Sequence, residues 1–251
     1  MGSHAIPRRR PRLRGVQALL KAAAARADAV AVELAARPLS AMFGLLALDA
    51  VLAVCFVAGG LAVNGDQAEF FRELMPGTLL SFAQLLFIAA VAWAIHRRVE
   101  GDRAWWRSLW GLSAVILLVF AFDEITQSAI FLSHALEHGL GIQPAAGFHD
   151  LEAVLLTLLF AGAALVVLPR LPALLKHPRA LALLALAVVV GLCSQALDSF
   201  APATRWEFVA EESLKLSAEV LLVGGFLMVL RDVLAAAAKR SVPAASARRP
   251  T

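Results

Sequence analysis

LWGLSAVILLVFAFDEITQSAIFLSHALEH, residues 109–138, carries two adjacent carboxylates, Asp123 and Glu124, directly after an apolar run. The run 109–119 has the character of the first half of a membrane-spanning helix. An isolated charge inside a bilayer costs several kcal/mol, so such residues face the interior of a bundle, pair or hold a proton. The stretch therefore predicts a membrane helix that presents polar chemistry on one face.

The composition extends this prediction to the whole chain. The protein has 251 residues, of which 60% are hydrophobic and 17% are charged, and its mean hydropathy is +0.75. Soluble domains average about 25% charged residues. We therefore expect an all-α fold, namely a polytopic membrane helical bundle.

The apolar runs divide the chain into a membrane domain with basic flanks. Residues 1–39 are predicted to be a basic cytoplasmic segment with an interfacial helix, and 231–251 a basic disordered cytoplasmic tail. Between them, 40–230 is predicted to form six transmembrane helices, at 40–63, 77–95, 108–135, 152–169, 180–200 and 211–230.

The basic residues predict an orientation. Most of the 23 Lys and Arg residues fall before the first span, in the second and fourth loops, and in the tail. The positive-inside rule then places both termini in the cytoplasm. The same residues are expected to contact the bilayer through its anionic lipid headgroups. A nucleic-acid partner is not expected, because no binding motif accompanies the charge, and protein partners stay open.

Polar residues concentrate at one depth of the predicted bundle. At about 1.5 Å per residue, Asp123 and Glu124 lie in the outer half of a ~30 Å hydrocarbon core. Lys215 is the only cation expected at that depth, so we predict that the third and sixth helices face each other with Lys215 between the acids. The predicted buried network contains Asp123, Glu124, Gln127, Asp198, Glu212, Lys215, Glu219 and, in the inner half, Asp49.

This network allows two interpretations. It could line a functional cavity, or it could only orient the helices; Asp49 in particular could be a helix-pairing hydrogen bond or a gate. The number of ionisable groups favours a cavity that is open to the periplasm.

The histidines form a separate pattern. His134 and His138 are four residues apart, which places both imidazoles on one helix face, as one metal ion requires. With Glu137 between them, the string resembles the inverted zinc-protease signature H-x-x-E-H, which implies zinc or another divalent metal. The candidate third ligands are Glu212 or Glu211 from the last helix and His149 or Asp150 from the loop. Glu124 or Glu137 is a candidate catalytic base; the alternatives are a solvated rim and a pH-sensing cluster.

Two helices also resemble a group of uncharacterised bacterial inner-membrane proteins. That group has D-E followed by H-E in one helix and E-E-x-L-E in a later one. Asp123–Glu124 and Glu211–Glu212 match, whereas the H-E is absent and Lys215 stands in place of the later glutamate. The resemblance implies a multi-pass protein of the bacterial inner membrane and implies no activity.

The sequence thus favours a membrane protein that binds a proton or a cation for transport or coupling. The alternatives are a metal-dependent hydrolase of a lipid-type substrate at the outer leaflet, and a structural subunit. The pattern does not decide whether the protein is an enzyme.

Overall fold

The computed structural model describes residues 11–65, 76–99, 104, 107–141, 151–200 and 204–241, which are almost entirely helical and contain no strand. The prediction of an all-α fold is confirmed. The α-helices and one 3₁₀ helix, η1, are α1 (Pro11–Ala35), α2 (Pro38–Asn64), α3 (Pro76–Val99), α4 (Leu109–Thr126), α5 (Ser128–Leu140), α6 (Leu151–Val167), η1 (Leu168–Lys176), α7 (Pro178–Phe200) and α8 (Arg205–Ser241).

Proline and glycine set several helix boundaries. Pro38, Pro76 and Pro178 are the first residues of α2, α3 and α7, where the missing N–H of proline would have no helical partner anyway. Gly65 and Gly141 end α2 and α5 in the left-handed conformation, at φ 67° and 66°. Glycine adopts this conformation without the steric cost of a Cβ.

Six helical segments in the described residues are long and apolar enough to cross a membrane. They are Pro38–Val63, Pro76–Val99, Leu109–Thr126, Val154–Lys176, Pro178–Asp198 and Arg205–Arg240. The prediction of six membrane-length spans is confirmed, and the chain has the make-up of a multi-pass membrane protein. The cytoplasmic placement of the termini stays a prediction.

Helix α8 is the centre of the bundle. It packs against α7, α3, α2 and α1, and it supplies many of the buried apolar side chains, such as Leu227 and Leu230. These side chains belong to one core with Ile88 and Ile95 of α3. By contrast, residues 154–167 of α6 are all at least partly exposed, so α6 lies at the edge.

Contacts between distant segments define one end of the bundle, which we call the basic end. Here Arg98 at the end of α3 bonds to Asp28 of α1, and the Trp110 ring of α4 meets His177 edge-on at 6.5 Å. His177 lies 3.1 Å from Asp232 of α8. This end carries the helix termini that the charge pattern assigns to the cytoplasm.

The opposite end, which we call the acidic end, joins the start of α8 to the ends of α2 and α7. Arg205 donates to the carbonyl oxygen of Gly65 at 3.4 Å. The hydroxyl of Ser194 on α7 donates to the Glu211 carbonyl oxygen at 3.0 Å. The carboxylates discussed below lie between this end and the middle of the bundle.

The prediction of one continuous third helix over 108–135 is wrong. The helix stops at Thr126, and Gln127 has the left-handed backbone angles φ 52° and ψ 39°. It is the only described non-glycine residue with a positive φ. The Asp123 carboxylate accepts from the Ala129 N–H at 3.0 Å, which satisfies one of the free donors at the start of α5.

The predicted disorder of the tail is also wrong for its first part. Helix α8 continues through residue 241, because the segment after Asp232 is rich in alanine, the best helix former. The 37-residue helix is about 55 Å long at 1.5 Å per residue, longer than a membrane core. Residues 242–251 of the predicted tail lie outside the described residues.

The predicted N-terminal helix exists as α1, and its C-terminal half docks on the bundle. Ala31 and Ala35 are buried against α3 and α8. Arg98 donates two hydrogen bonds to the Asp28 carboxylate, at 2.8 and 2.9 Å. Contact of α1 with the membrane surface stays a prediction.

Two adjacent glycines bring other helices close to α8. A Cβ on Gly224 would lie 2.6 Å from the Met42 sulfur of α2, and a Cβ on Gly225 would lie 2.6 and 2.7 Å from Cδ2 and Cγ of Leu184 on α7. Small residues allow this close approach between membrane helices. The glycine pair is therefore a packing surface of α8.

Replacing Gly225 with alanine should destabilise the bundle. The branched Cγ of Leu184 cannot swing away as a side-chain tip can, so overpacking should outweigh the gain in helix propensity and leave a net loss of about 1–2 kcal/mol. The measurement is the free energy of unfolding in mixed micelles. Gly44→Ala is the control, since a Cβ there meets nothing within 4 Å; equal effects of the two substitutions would contradict the packing role.

The pair of Asp28 and Arg98 should stabilise α1 docking in a pH-dependent way. The two hydrogen bonds from the Arg98 guanidinium hold the pKa of Asp28 below its usual range. The contribution is therefore complete above the unfolded-state pKa of about 3.9 and is lost as the pH falls through the lower folded-state pKa.

A double-mutant cycle with Asp28→Asn and Arg98→Gln measures this contribution. Because Asp28 is partly exposed, we expect a coupling of only about 0.2–1 kcal/mol at neutral pH. The coupling should vanish at strongly acidic pH, and a coupling that is unchanged there would refute the assignment.

Candidate functional site

Five polar side chains from three helices meet between the acidic end and the middle of the bundle. We call them the Lys215 cluster: Ser81 of α3, Glu124 of α4, and Glu212, Lys215 and Glu219 of α8. The three α8 residues are spaced i, i+3 and i+7, which places them on one helix face. Helix α3 packs against both α4 and α8, so it completes the enclosure.

Lys215 connects α4 to α8. Its ammonium group donates to Glu212 Oε1 at 2.9 Å and lies 3.2 and 3.3 Å from the two carboxylate oxygens of Glu124. Helix α4 packs mainly on α3, so the long lysine and glutamate side chains span the gap between α4 and α8. One cation thus serves two carboxylates.

Glu219 has no such cation. Its Oε1 accepts a 2.6 Å hydrogen bond from the Ser81 hydroxyl, and its Oε2 is sealed from solvent with no hydrogen-bond partner. Glu212 Oε2 is likewise sealed from solvent with no hydrogen-bond partner. Buried acceptors of this kind are rare in folded proteins, and each calls for a physical explanation.

Burial increases along the cluster. The Lys215 and Glu124 side chains keep 28% and 18% of their surface exposed, against 9% for the Glu212 side chain, and Glu219 as a residue keeps 5%. Exposure therefore falls from the Lys215 side chain to Glu219, the carboxylate whose only bond is to a hydroxyl.

A second polar contact lies one turn along α3. Gln84 Nε2 donates to both carboxylate oxygens of Asp49 on α2, each at 3.0 Å. Both residues are buried. Of the two sequence interpretations of Asp49, the structure contains the helix-pairing hydrogen bond; it neither contains nor tests a gate.

Toward the basic end, the buried face of α3 becomes apolar. Ile88, Val91, Ala92 and Ile95 are buried in the main hydrophobic core. The next buried polar residue of α3 is His96, twelve positions beyond Gln84. In this conformation an apolar core separates the Lys215 cluster from the basic end.

The remaining members of the predicted network lie elsewhere. Asp123 caps the start of α5, and Gln127 forms the break between α4 and α5, as described above. Asp198 is exposed on the last turns of α7, where it accepts from Gln195 of the same helix at 3.0 Å. The prediction that these three belong to one buried network is corrected: the helix break redirects the first two, and Asp198 lies too near the helix end.

The predicted metal ligands are not brought together. The exposed His134 and His138 rings lie 6.1 Å apart on α5, which packs on α6, whereas Glu212 is bonded to Lys215. Glu137, the candidate base, accepts from the Leu151 N–H at 3.3 Å at the start of α6. Among the described residues no three His, Cys, Asp or Glu side chains form a group that could hold a metal ion; His149 and Asp150 lie outside the described residues.

The structure also adds a residue that the predicted network omits. Ser81 is fully buried and is the hydrogen-bond partner of Glu219. The signal in the sequence was the spacing of Ser81 and Gln84, since residues i and i+3 share a helix face. Two polar residues at this spacing in an otherwise apolar span mark the face of α3 that contacts polar groups.

These features define a bundle of membrane-length helices with a buried carboxylate cluster. The chain belongs to the family described as a domain of unknown function, DUF8692, whose family model matches residues 39–230. The matched segment agrees with the predicted membrane domain at 40–230 and includes the whole Lys215 cluster. Searches of curated proteins and of solved structures each gave no match.

Replacing Lys215 with methionine should destabilise the protein. Glu124 and Glu212 would lose their shared cation, and breaking a buried pair in this way costs about 3–5 kcal/mol. The loss should shrink at acidic pH, where protons neutralise the acids. The measurement is the free energy of unfolding in mixed micelles at two pH values.

Two comparisons test the cause of this effect. Adding Glu124→Gln and Glu212→Gln to Lys215→Met removes the unpaired charges and should restore most of the stability. Lys239→Met, an exposed cation in the last turn of the same helix, should have no effect. If the triple variant is as unstable as the single one, uncompensated charge is not the cause.

Proposed function

We propose that the protein binds a proton at the Lys215 cluster and couples this binding to a membrane process, most simply transport. The observation that carries the proposal is the Glu219 carboxyl group, which is enclosed in the bundle with one oxygen bonded to Ser81 and the other unpartnered. Intramembrane acids of this kind commonly mark proton or ion pathways.

The charge balance of the cluster supports proton binding. Three glutamates share one lysine, so two negative charges would be uncompensated if every group were ionised. Buried charges without partners are avoided in proteins, and a carboxyl group can avoid the cost by holding a proton. A cluster with more acids than bases therefore stores exchangeable protons.

The enclosure favours a proton over a larger cation. Glu212 Oε2 and Glu219 Oε2 are sealed from solvent, so no water-sized space adjoins them. Metal cations bound by oxygen take several ligands at distances above 2 Å, whereas a proton needs only one lone pair. A protonated Oε2 leaves Oε1 of Glu219 as the carbonyl oxygen that accepts from Ser81.

The position of the cluster supports coupling. The apolar face of α3 beyond Gln84 blocks a polar route to the basic end, while Lys215 and Glu124 keep some exposure. Alternating access requires a site of this kind, which opens to one side at a time. We propose that the present conformation is the one closed to the basic end.

The orientation and location belong to the same proposal. The basic end faces the cytoplasm by the positive-inside rule, with its Lys and Arg side chains against anionic lipid headgroups. The acidic end then faces the periplasm of a bacterial inner membrane. A proton would reach Glu219 from the outside, down the usual direction of the proton gradient.

The test is proton flux into vesicles that contain the purified protein and an entrapped pH-sensitive dye. With an imposed pH gradient, the unmodified protein should acidify the lumen, and Glu219→Gln should reduce the rate to that of protein-free vesicles. Asp28→Asn serves as the control, because it removes a carboxylate that lies on α1 and outside the cluster.

The other outcomes are equally informative. Flux driven by a sodium gradient and indifferent to pH would replace the proton with a metal cation. Flux that is unchanged in Glu219→Gln, or no flux in the unmodified protein with either gradient, would reject proton transport and leave the cluster a structural role.

A further inference from the structure

The contact between Asp49 and Gln84 has an unusual donor pattern. Gln84 uses one atom, Nε2, to donate to both oxygens of Asp49. Its other amide atom, Oε1, is buried without a hydrogen-bond partner. Each of the two residues is 6% exposed, so water cannot complete the pattern.

An ionised Asp49 cannot satisfy this amide. A carboxylate has only acceptors, so it can use the N–H groups of Gln84 but can give nothing to Oε1. An oxygen acceptor left unpaired in a membrane bundle loses its hydration without compensation. The amide would therefore stay half-satisfied for as long as Asp49 is charged.

A protonated Asp49 gives Gln84 Oε1 a hydrogen-bond donor and removes the buried negative charge. The acid O–H can donate to Gln84 Oε1 while Gln84 Nε2 donates to the acid carbonyl oxygen, so that a planar acid and a planar amide form two bonds side by side. We propose that Asp49 is a second proton-binding group, with Gln84 as the partner that holds its acid form.

The charged groups of the neighbouring helices do not pair with Asp49. In the described part of the chain no cation lies within ion-pair distance of it. Helix α2 packs against α8 and α1. On α8, Glu219 bonds to Ser81, and Lys215 pairs with Glu124 and Glu212. On α1, Asp28 pairs with Arg98 at the basic end.

The position of Asp49 links a second bound proton to the Lys215 cluster. Ser81, the partner of Glu219, and Gln84, the partner of Asp49, are one turn apart on α3, or about 4.5 Å along its axis. The two acids thus bracket the same turn, one from α8 and one from α2. Uptake by Asp49 forms one O–H bond with a proton from solvent and removes one negative charge.

This inference goes beyond the proposed function and rests on it only for the use of the proton. A bundle that binds one proton at Glu219 and another at Asp49 can exchange two protons in a cycle. Proton binding by Asp49 would still hold if the Lys215 cluster proved to be structural.

Infrared difference spectroscopy of the protein in lipid vesicles tests the assignment. The carbonyl band of a protonated carboxylic acid is followed while the pH is stepped from neutral, where exposed carboxylates are already ionised, to basic. The unmodified protein should lose two components of this band. Asp49→Asn should remove one of them, and Glu219→Gln should remove the other.

Asp49→Asn is the decisive variant because asparagine keeps a bridge to the Gln84 amide, so the fold should be retained. Gln84→Leu should leave the Asp49 component but move it to higher frequency, since the acid loses its hydrogen-bonding partner. Asp28→Asn is the control, and it should change neither component, because Asp28 stays ionised beside Arg98.

Three results would overturn or redirect the assignment. A band that is identical in Asp49→Asn and the unmodified protein would refute it. So would a Gln84→Leu shift confined to the component that Glu219→Gln removes, because Oε1 would then serve Glu219. Loss of a component in Asp49→Asn but none in Glu219→Gln would uphold Asp49 and reject the proposed function instead.

Discussion

Lys215 places one ammonium group between Glu124 of α4 and Glu212 of its own helix, and the polar interior is arranged around this contact. In a membrane bundle every buried charge must find its counterpart inside the protein. The lysine therefore joins the end of α4 to α8, and its one positive charge is shared by two carboxylates. Glu219 lies one further turn along α8 with no cation of its own. A bound proton would spare this carboxylate the cost of a buried, unpaired charge.

A second constraint makes this arrangement possible. Helix α8 packs against α7, α3, α2 and α1, and such a crowded helix needs small residues where its neighbours approach. Gly224 and Gly225 admit Met42 and Leu184 from α2 and α7. Because the glycines fix the packing of α8 toward the basic end, the part of α8 nearer the acidic end can carry polar side chains that reach α3 and α4. Apolar packing and polar contacts thus occupy different segments along the same helix.

Much of the candidate site could be predicted from particular residues. Asp123 and Glu124 were both expected in the buried network, because both follow the same apolar run, yet only Glu124 reaches Lys215. The difference depends on Gln127, whose left-handed backbone ends α4; no proline or glycine announces that break. The histidines of α5 show the same limit, since their i, i+4 spacing is correct for a metal but the third ligand must come from another helix.

The sequence by itself determined the number of membrane-length spans, the separation of basic from apolar segments, and the presence of acids at bilayer depth. These follow from local composition and helix period, which act within one segment. Only the tertiary structure decided that Ser81 meets Glu219 and that Gln84 meets Asp49. Such pairs join helices far apart in the chain, and they depend on the crossing and rotation of whole helices, which side-chain packing sets and a one-dimensional pattern does not encode.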